Sequence, residues 1–557
     1  MYQPYGTGKL QIDSSLTLKE REPVIGTGDW DNIQCHHFTG KRSDGLAIND
    51  IVLVREGTKI IALCQVLSDS FESALLQSKY HNIHYRKVKV LDLYVGDKRF
   101  PQSRSTLQRL VDDQTNSWKF ISSYYQHVRS KFMISDCTKI LNYKKQVILQ
   151  GPPGTGKTRT AKLMAAELLG LSDTKDLKDN DQFKLVQFHP SYTYEDFVRG
   201  IVAKPNNDGG GVLYDAENKT LASFANLALE NYRDSGKSVS TLKNELNFNE
   251  KLNAFKNDII DSLAKGEYLD IPGTTAQIVD ITETVIKYKH KNNMNYPYAY
   301  TLLFTDFIKL NELGREFKTS TDITKTEELL ERKAAGTYYF HLYKLIISRE
   351  ESVADAATPD VKPYILVIDE INRANLSSVL GELIYALEYR GESVESMYDV
   401  GGRSLMLPPN LYIIGTMNTA DRSVGHIDYA IRRRFAFIDV LPKNLTNELS
   451  SDFQIEQFKI VSELFVKNYD FNADLIDNSP VILERSDYMT GDFEPKDVWL
   501  GHSYFIQQYE KGWQGNLLKD QPIDFHLRVK YEIKPILLEY IKDGILKESA
   551  RDIINKL

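Results

Sequence analysis

Apolar and polar positions along this chain change their pattern near residue 136. Before it, "DIVLVREG" and "KIIALCQVL" are short apolar runs split by Glu56-Gly57-Thr58, which reads as a hairpin. "YRKVKVLDLYV" follows with rough alternation, and a small barrel or curled sheet is the natural way to bury such strands. After it, apolar runs alternate with helical stretches: "KQVILQ", "FKLVQF", "PYILVID" and "LYIIGTMN" read as strands. "TRTAKLMAAELLG" reads as a helix ending at a glycine. Apolar runs separated by helices predict a parallel sheet covered on both faces. Between about 220 and 360 the pattern predicts a long, mostly helical, Lys/Glu-rich insertion with turn signals at "DIPGTT" and "NNMNYP". From 446 onward it predicts mostly helix, clearest in "HLRVKYEIKPILLEYIKDGIL". The organisation expected is therefore a β-rich module at 1–135, an α/β domain at 136–445 carrying the insertion, and a helical domain at 446–557. No internal repeat or low-complexity tract alters this.

Composition narrows the class without choosing a function. The 557 residues exceed one core and suggest three or four domains. No stretch has the apolar length of a membrane span, and "MYQPYGTGKLQ" lacks a signal pattern. Cys35, Cys64 and Cys137 are too few and scattered for a disulfide framework, so a reducing cytoplasm is expected. The net charge of −7 is uneven: residues 1–135 hold 18 Lys+Arg against 14 Asp+Glu, and the remainder 51 against 62. A mildly basic module on an acidic body hints at a nucleic-acid partner.

The chemistry starts with "GPPGTGKT". Gly151, Pro152, Pro153, Gly154, Thr155, Gly156, Lys157 and Thr158 fit G-x-x-x-x-G-K-[ST] between a strand and a helix. Glycines let backbone N–H groups curl around phosphate oxygens, and the helix N-terminus adds a favourable dipole. Lys157 is placed to reach the β/γ-phosphates and Thr158 to ligate Mg²⁺. "YILVIDEINRAN" delivers Asp369 and Glu370 at a strand's carboxyl end, where α/β sheets hold ligands. Asp369 is expected to hold Mg²⁺ and Glu370 to polarise the attacking water. Asn418, ending the strand "LYIIGTMN", can orient that water. Arg432, Arg433 and Arg434 lie too far along their helix to fold back on their own site, so they are better aimed at a nucleotide in a second copy. A solvated basic helix end is the plainer reading of the triplet.

With these residues in view, the chain resembles the AAA+ family, and within it the McrB branch. The likeness rests on "GPPGTGKT", "VQFHPSYTYEDFVRGI", "VIDEINRANLSSVLGEL" and "IIGTMNTADRSVGHIDYAIRRRFAFID", with "GHSYF" and "RVKYEIKPILLEY" resembling the lid. It spans roughly 140 to 545, less closely over the insertion. The resemblance implies an α/β AAA+ P-loop domain with a helical lid and a ring of copies, six by the family's habit. It places Asn418 at the sensor position and Arg373, Arg433 and Arg434 among trans-acting arginines. Asp421 and Asp428 either orient these arginines or cap a helix. It also implies GTP as substrate, with ATP the alternative, and a separate McrC-type nuclease in a restriction or antiphage system. The chain lacks the Asn-Lys-x-Asp signature by which small G proteins read guanine.

The stretch 26–67 resembles PUA/EVE-like modules that hold a flipped or modified base. Trp30, Phe38, Tyr80, Tyr85 and Trp118 are candidates to line such a pocket, with Lys41, Arg42, Arg86, Lys87 and Lys89 on DNA phosphates. A small barrel needs core aromatics in any case. Cys35-His36-His37 lacks a second ligand pair, so local packing is expected there. A MoxR-like protein-remodelling ATPase and a passive nucleic-acid-binding module are the competing readings.

Overall fold

The computed structural model describes residues 14–27, 32–41, 45–56, 58–80, 82–99, 107, 110, 115–205, 212–295, 297–326, 335–349, 358–400, 402–421, 427–467, 469, 483–511 and 517–557. The chain divides into two compact units. One comprises Met1–Ala222, Pro363–Leu407 and Leu411–Leu557; the other comprises Ser223–Lys362 with Pro408–Asn410. No helix among the described residues is long and apolar enough to cross a membrane.

The first unit opens with an antiparallel sheet in the order Val24–Thr27, His84–Leu93, Lys59–Val66, Ile51–Glu56, with Phe71–Glu72 also pairing on the long strand. The expected hairpin is present, Glu56 facing Lys59. Register shifts at Val54/Arg55 and Leu63/Cys64 interrupt two of its ladders, the kind of irregularity that bends and twists a sheet. Ile25, Val54, Ala62, Cys64 and Val88 fill its core. Helix Asn116–Lys144 follows, capped by Thr115 accepting from the Trp118 N–H and closed by left-handed Lys145. It runs unbroken through residue 135, so the boundary expected there is not a break in secondary structure.

Five parallel strands form the centre: β1 (Gln146–Gly151), β2 (Phe183–Gln187), β3 (Tyr364–Asp369), β4 (Leu411–Asn418) and β5 (Ala436–Asp439), in the order β5-β1-β4-β3-β2. β1, β3 and β4 are almost wholly buried, as expected for Val/Ile/Leu runs covered on both faces. β2 differs. It is the edge strand, and Leu185 is 37% exposed, so "FKLVQF" is not a buried run. Helix Lys157–Leu168 packs Ala161, Met164 and Ala165 onto the core that holds Val147, Leu149 and Ile414. A two-stranded ribbon, Arg199–Pro205 with Val212–Asn218, follows "YEDF" and was not anticipated from the sequence.

The described residues from 446 onward include a core around Phe458, Trp499, Phe505 and Leu537. They are helical only in part: Val466–Lys467 pairs with Glu484–Arg485, and Tyr509–Lys511 with Leu517–Pro522. The expected amphipathic segment is helical but passes through a π-turn at Val529–Ile533, where the Lys534 N–H bonds the Val529 carbonyl. Pro535, without an N–H, follows directly.

In the second unit helices predominate among the described residues, and they are joined by a sheet that the sequence reading did not include. Helices Val239–Ala264, Phe304–Glu312 and Gly336–Ile347 pack against a four-stranded antiparallel sheet of Leu269–Asp270, Ala276–Ile281, Val285–His290 and Tyr300–Leu303. Ile278, Ile286, Tyr288 and Leu302 point from that sheet into a core shared with Phe255, Ile259 and Phe307.

Candidate nucleotide site

β1 ends at Gly151, and the loop to helix Lys157–Leu168 makes a turn that requires glycine. Gly154 has φ +80°, and a Cβ there would lie 2.7 Å from the Tyr504 ring. Lys157 Nζ donates to the carbonyls of Gly151 (2.9 Å) and Pro152 (2.7 Å). Burial pushes its ammonium down to about 8, against the opposing pull of Asp369 and Glu370.

Asp369 ends β3 beside this loop. Its Oδ1 accepts from Thr158 Oγ1 at 2.7 Å and from Thr416 Oγ1 at 2.5 Å. The same Thr416 hydroxyl oxygen accepts from the Glu370 N–H at 3.0 Å. Thr416 was missed in the sequence, although its place two residues before Asn418 in a buried strand was a usable signal. Glu370 adopts φ +53°, ψ +46°, the left-handed region that non-glycine residues rarely occupy. The next turn returns Arg373 over it, and the guanidinium pairs with the Glu370 carboxylate. Asn418 Oδ1 accepts from the Ala420 N–H at 3.2 Å, while Asn372 Nδ2 donates to the Asn418 carbonyl.

Lys157, Thr158, Asp369, Glu370, Thr416 and Asn418 therefore line one cavity of about 290 Å³ with Pro153, Gly154, Gly156 and Arg159. The cavity lies at the carboxyl ends of β1, β3 and β4. Thr158 and Asp369 supply a hydroxyl and a carboxylate, hard oxygen donors suited to Mg²⁺, which usually takes one or two protein ligands plus substrate phosphates. No group of three His, Cys, Asp or Glu suited to a metal occurs among the described residues.

The segment "GHSYF", which the resemblance expects in a lid, sits on the loop. The Gly501 N–H donates to the Pro153 carbonyl and the Ser503 N–H to the Gly154 carbonyl, both at 2.9 Å. His502 is buried, and its Nδ1 accepts from the Lys443 N–H at 3.2 Å, which places the neutral ring's proton on Nε2. Burial, with Lys443 and Arg159 nearby, pushes this imidazole down to about 3.

None of Arg373, Arg432, Arg433 and Arg434 lines the cavity. Arg433 and Arg434 both reach Glu388, and Arg432 lies over the Phe437 ring. Asp428 caps the arginine helix, accepting from the Ile431 N–H at 2.9 Å, and also pairs with the Ser377 hydroxyl.

The front-module candidates divide. Trp30 and Arg42 lie outside the described residues. Phe38, Tyr80 and Tyr85 are buried in the packing of the N-terminal sheet, so the pocket-lining expectation is corrected for them. Arg86 is buried too, donating to the Phe38 and Ser68 carbonyls instead of facing solvent. Lys41 and Lys89 are exposed, Lys87 pairs with Glu22, and Trp118 is half-buried.

A family profile for the AAA domain (dynein-related subfamily) matches residues 146–240 and 314–435, so it takes in every cavity-lining residue. The chain carries an AAA domain. It is 36% identical over 194 residues to the "Type IV methyl-directed restriction enzyme EcoKMcrB subunit" of Escherichia coli (strain K12), covering 34% of this chain and 39% of that one. It is 39% identical over 89 residues to the "Type II restriction enzyme BsuMI component YdiS" of Bacillus subtilis (strain 168), covering 13% of this chain and 26% of that one. The matched segments thus span well under half the length of either relative. Over the matched segment the AAA domain is thus similar to that of an McrB subunit.

Proposed function

We propose that the chain is a ring-forming nucleoside triphosphate hydrolase, with GTP its substrate and Mg²⁺ its cofactor. One observation supports this most: Lys157 and Thr158 at the start of a helix, Asp369 and Glu370 at the end of β3, and Asn418 at the end of β4 meet around a single cavity. In this reading the loop N–H groups and Lys157 bind the phosphates. Thr158 and Asp369 hold Mg²⁺, which supplies charge neutralisation at the phosphates. Glu370 polarises the water and Asn418 orients it. Arg433, Arg434 and Arg373 are the candidates acting across a seam between copies, in a ring of six.

Residues 1–135 are assigned DNA binding as a PUA/EVE-like module, through exposed cations such as Lys41 and Lys89. A methyl-directed relative favours modified DNA and restriction with an McrC-type nuclease as partner. Hydrolysis rates with GTP and ATP at equal concentration test the substrate. Faster GTP turnover, lost in Lys157→Ala, supports the reading; faster ATP turnover replaces GTP and brings the MoxR-like alternative forward.

A further inference from the structure

We propose that Glu388 is the positioning residue for Arg433 as the arginine presented to a neighbouring copy, and that Arg434 is its fixed mount. The proposal rests on the seam reading above and separates two arginines that the sequence leaves equivalent.

Glu388 ends helix Leu383–Glu388, beside the arginine helix Tyr429–Arg434. Its Oε2 accepts from Arg433 Nη2 at 2.9 Å and lies 3.1 Å from Arg434 Nη2. The two cations differ in every other respect. The Arg434 side chain is 12% exposed, and its Nη1 donates to the Ala430 carbonyl at 2.8 Å. Its backbone carbonyl accepts from Gln146 Nε2 at 2.8 Å, and the same amide nitrogen donates to the Leu387 carbonyl at 2.9 Å. Gln146 Oε1 in turn accepts from Arg390 Nη2 at 2.7 Å. One amide thus ties the ends of both helices to the first residue of β1, the strand that runs into the phosphate loop. Swinging the Arg434 guanidinium toward a neighbour would break its bond to the Ala430 carbonyl and draw it out of a largely buried place.

Arg433 has no such commitment. Its side chain is 67% exposed and Glu388 meets it through Nη2 alone. A guanidinium carries five N–H donors, so one can stay on the carboxylate while the others face a phosphate. If Arg433 exchanges Glu388 for an anion, Arg434 still pairs the carboxylate. A long exposed side chain otherwise samples many rotamers, and holding it in one geometry lowers the ordering cost at the moment of reaction.

The test uses the full chain as Glu388→Gln, Arg433→Ala and the double variant, each alone and mixed with Lys157→Ala chains. Lys157→Ala chains lack a working loop but carry intact Glu388 and Arg433. Glu388→Gln is expected to lower kcat about 10- to 100-fold, the scale of a catalytic group misplaced by an ångström, with KM within about twofold. Mixing with Lys157→Ala should restore turnover, and the double variant should be no slower than Arg433→Ala. A Glu388→Gln defect that mixing leaves unchanged, or losses that multiply in the double variant, overturns the positioning role. An Arg433→Ala chain as fast as wild type overturns the choice of Arg433. Wild-type turnover no greater than that of Lys157→Ala would fail the hydrolysis reading itself, a result visible before any Glu388 variant is measured.

Discussion

The backbone N–H of Gly501 donates to the carbonyl of Pro153 at 2.9 Å, joining lid and phosphate loop peptide to peptide. The approach is so close that a Cβ on Gly501 would lie 2.1 Å from the Gly154 carbonyl carbon. Any rearrangement of the loop around phosphate is therefore felt by the lid without an intervening side chain.

Gly501→Ala should force loop and lid apart. The clash is with backbone, so no side-chain rotation relieves it. Equilibrium titration with a fluorescent nucleotide should show affinity reduced at least about tenfold, on the scale of about 1–3 kcal/mol for overpacking. Affinity equal to wild type would mean that the contact plays no part in binding.

Thr416 bridges the two acidic residues, donating to Asp369 and accepting from the Glu370 N–H. Thr416→Val keeps the shape and removes both bonds, at a cost of about 1–3 kcal/mol for the buried group left unpaired. Turnover should fall markedly more than nucleotide affinity, and Thr416→Ser should recover most of it. Single-turnover hydrolysis beside a binding isotherm decides this; equal loss in both would assign Thr416 to binding alone.

His502 is held neutral, pushed down to about 3 from an ordinary value of 6.5. The unfolded chain takes up its proton below about 6.5 while the folded chain does not, so folding weakens as pH falls from 6.5 toward 3. The slope is on the order of 1 kcal/mol per pH unit inside that window. Thermal midpoints at pH 7.5, 6.5 and 5.5 should drop more steeply for wild type than for His502→Gln. Parallel curves would show that this imidazole is not what acid acts on.

Legibility in the sequence followed the range of the interactions. β3 and β4 were readable because Val, Ile and Leu runs need only local pattern, and the phosphate loop because its glycines answer a local turn. The sheet of the second unit was also within reach: Ile286 and Tyr288, two apart, both point into the core, a period of two submerged in a Lys-rich stretch. β2 misled because Leu185 and Val186 look like core, whereas edge position is a property of strand order. The Gly501–Pro153 bond, the Glu388 pairing and the left-handed backbone of Glu370 arise only after distant segments meet. Burial of Phe38 and Tyr80, on helices, and of Tyr85, on a strand, follows the same rule, since it depends on which segments pack against each.

The central claim is that a triphosphate is cleaved where two copies together complete the site. Hydrolysis rate per chain, measured across a dilution series alongside sedimentation at saturating nucleotide, tests it directly. The expected result is a specific rate that climbs with the assembled fraction and becomes negligible in the monomer. A constant specific rate, carried undiminished by monomers, would contradict it.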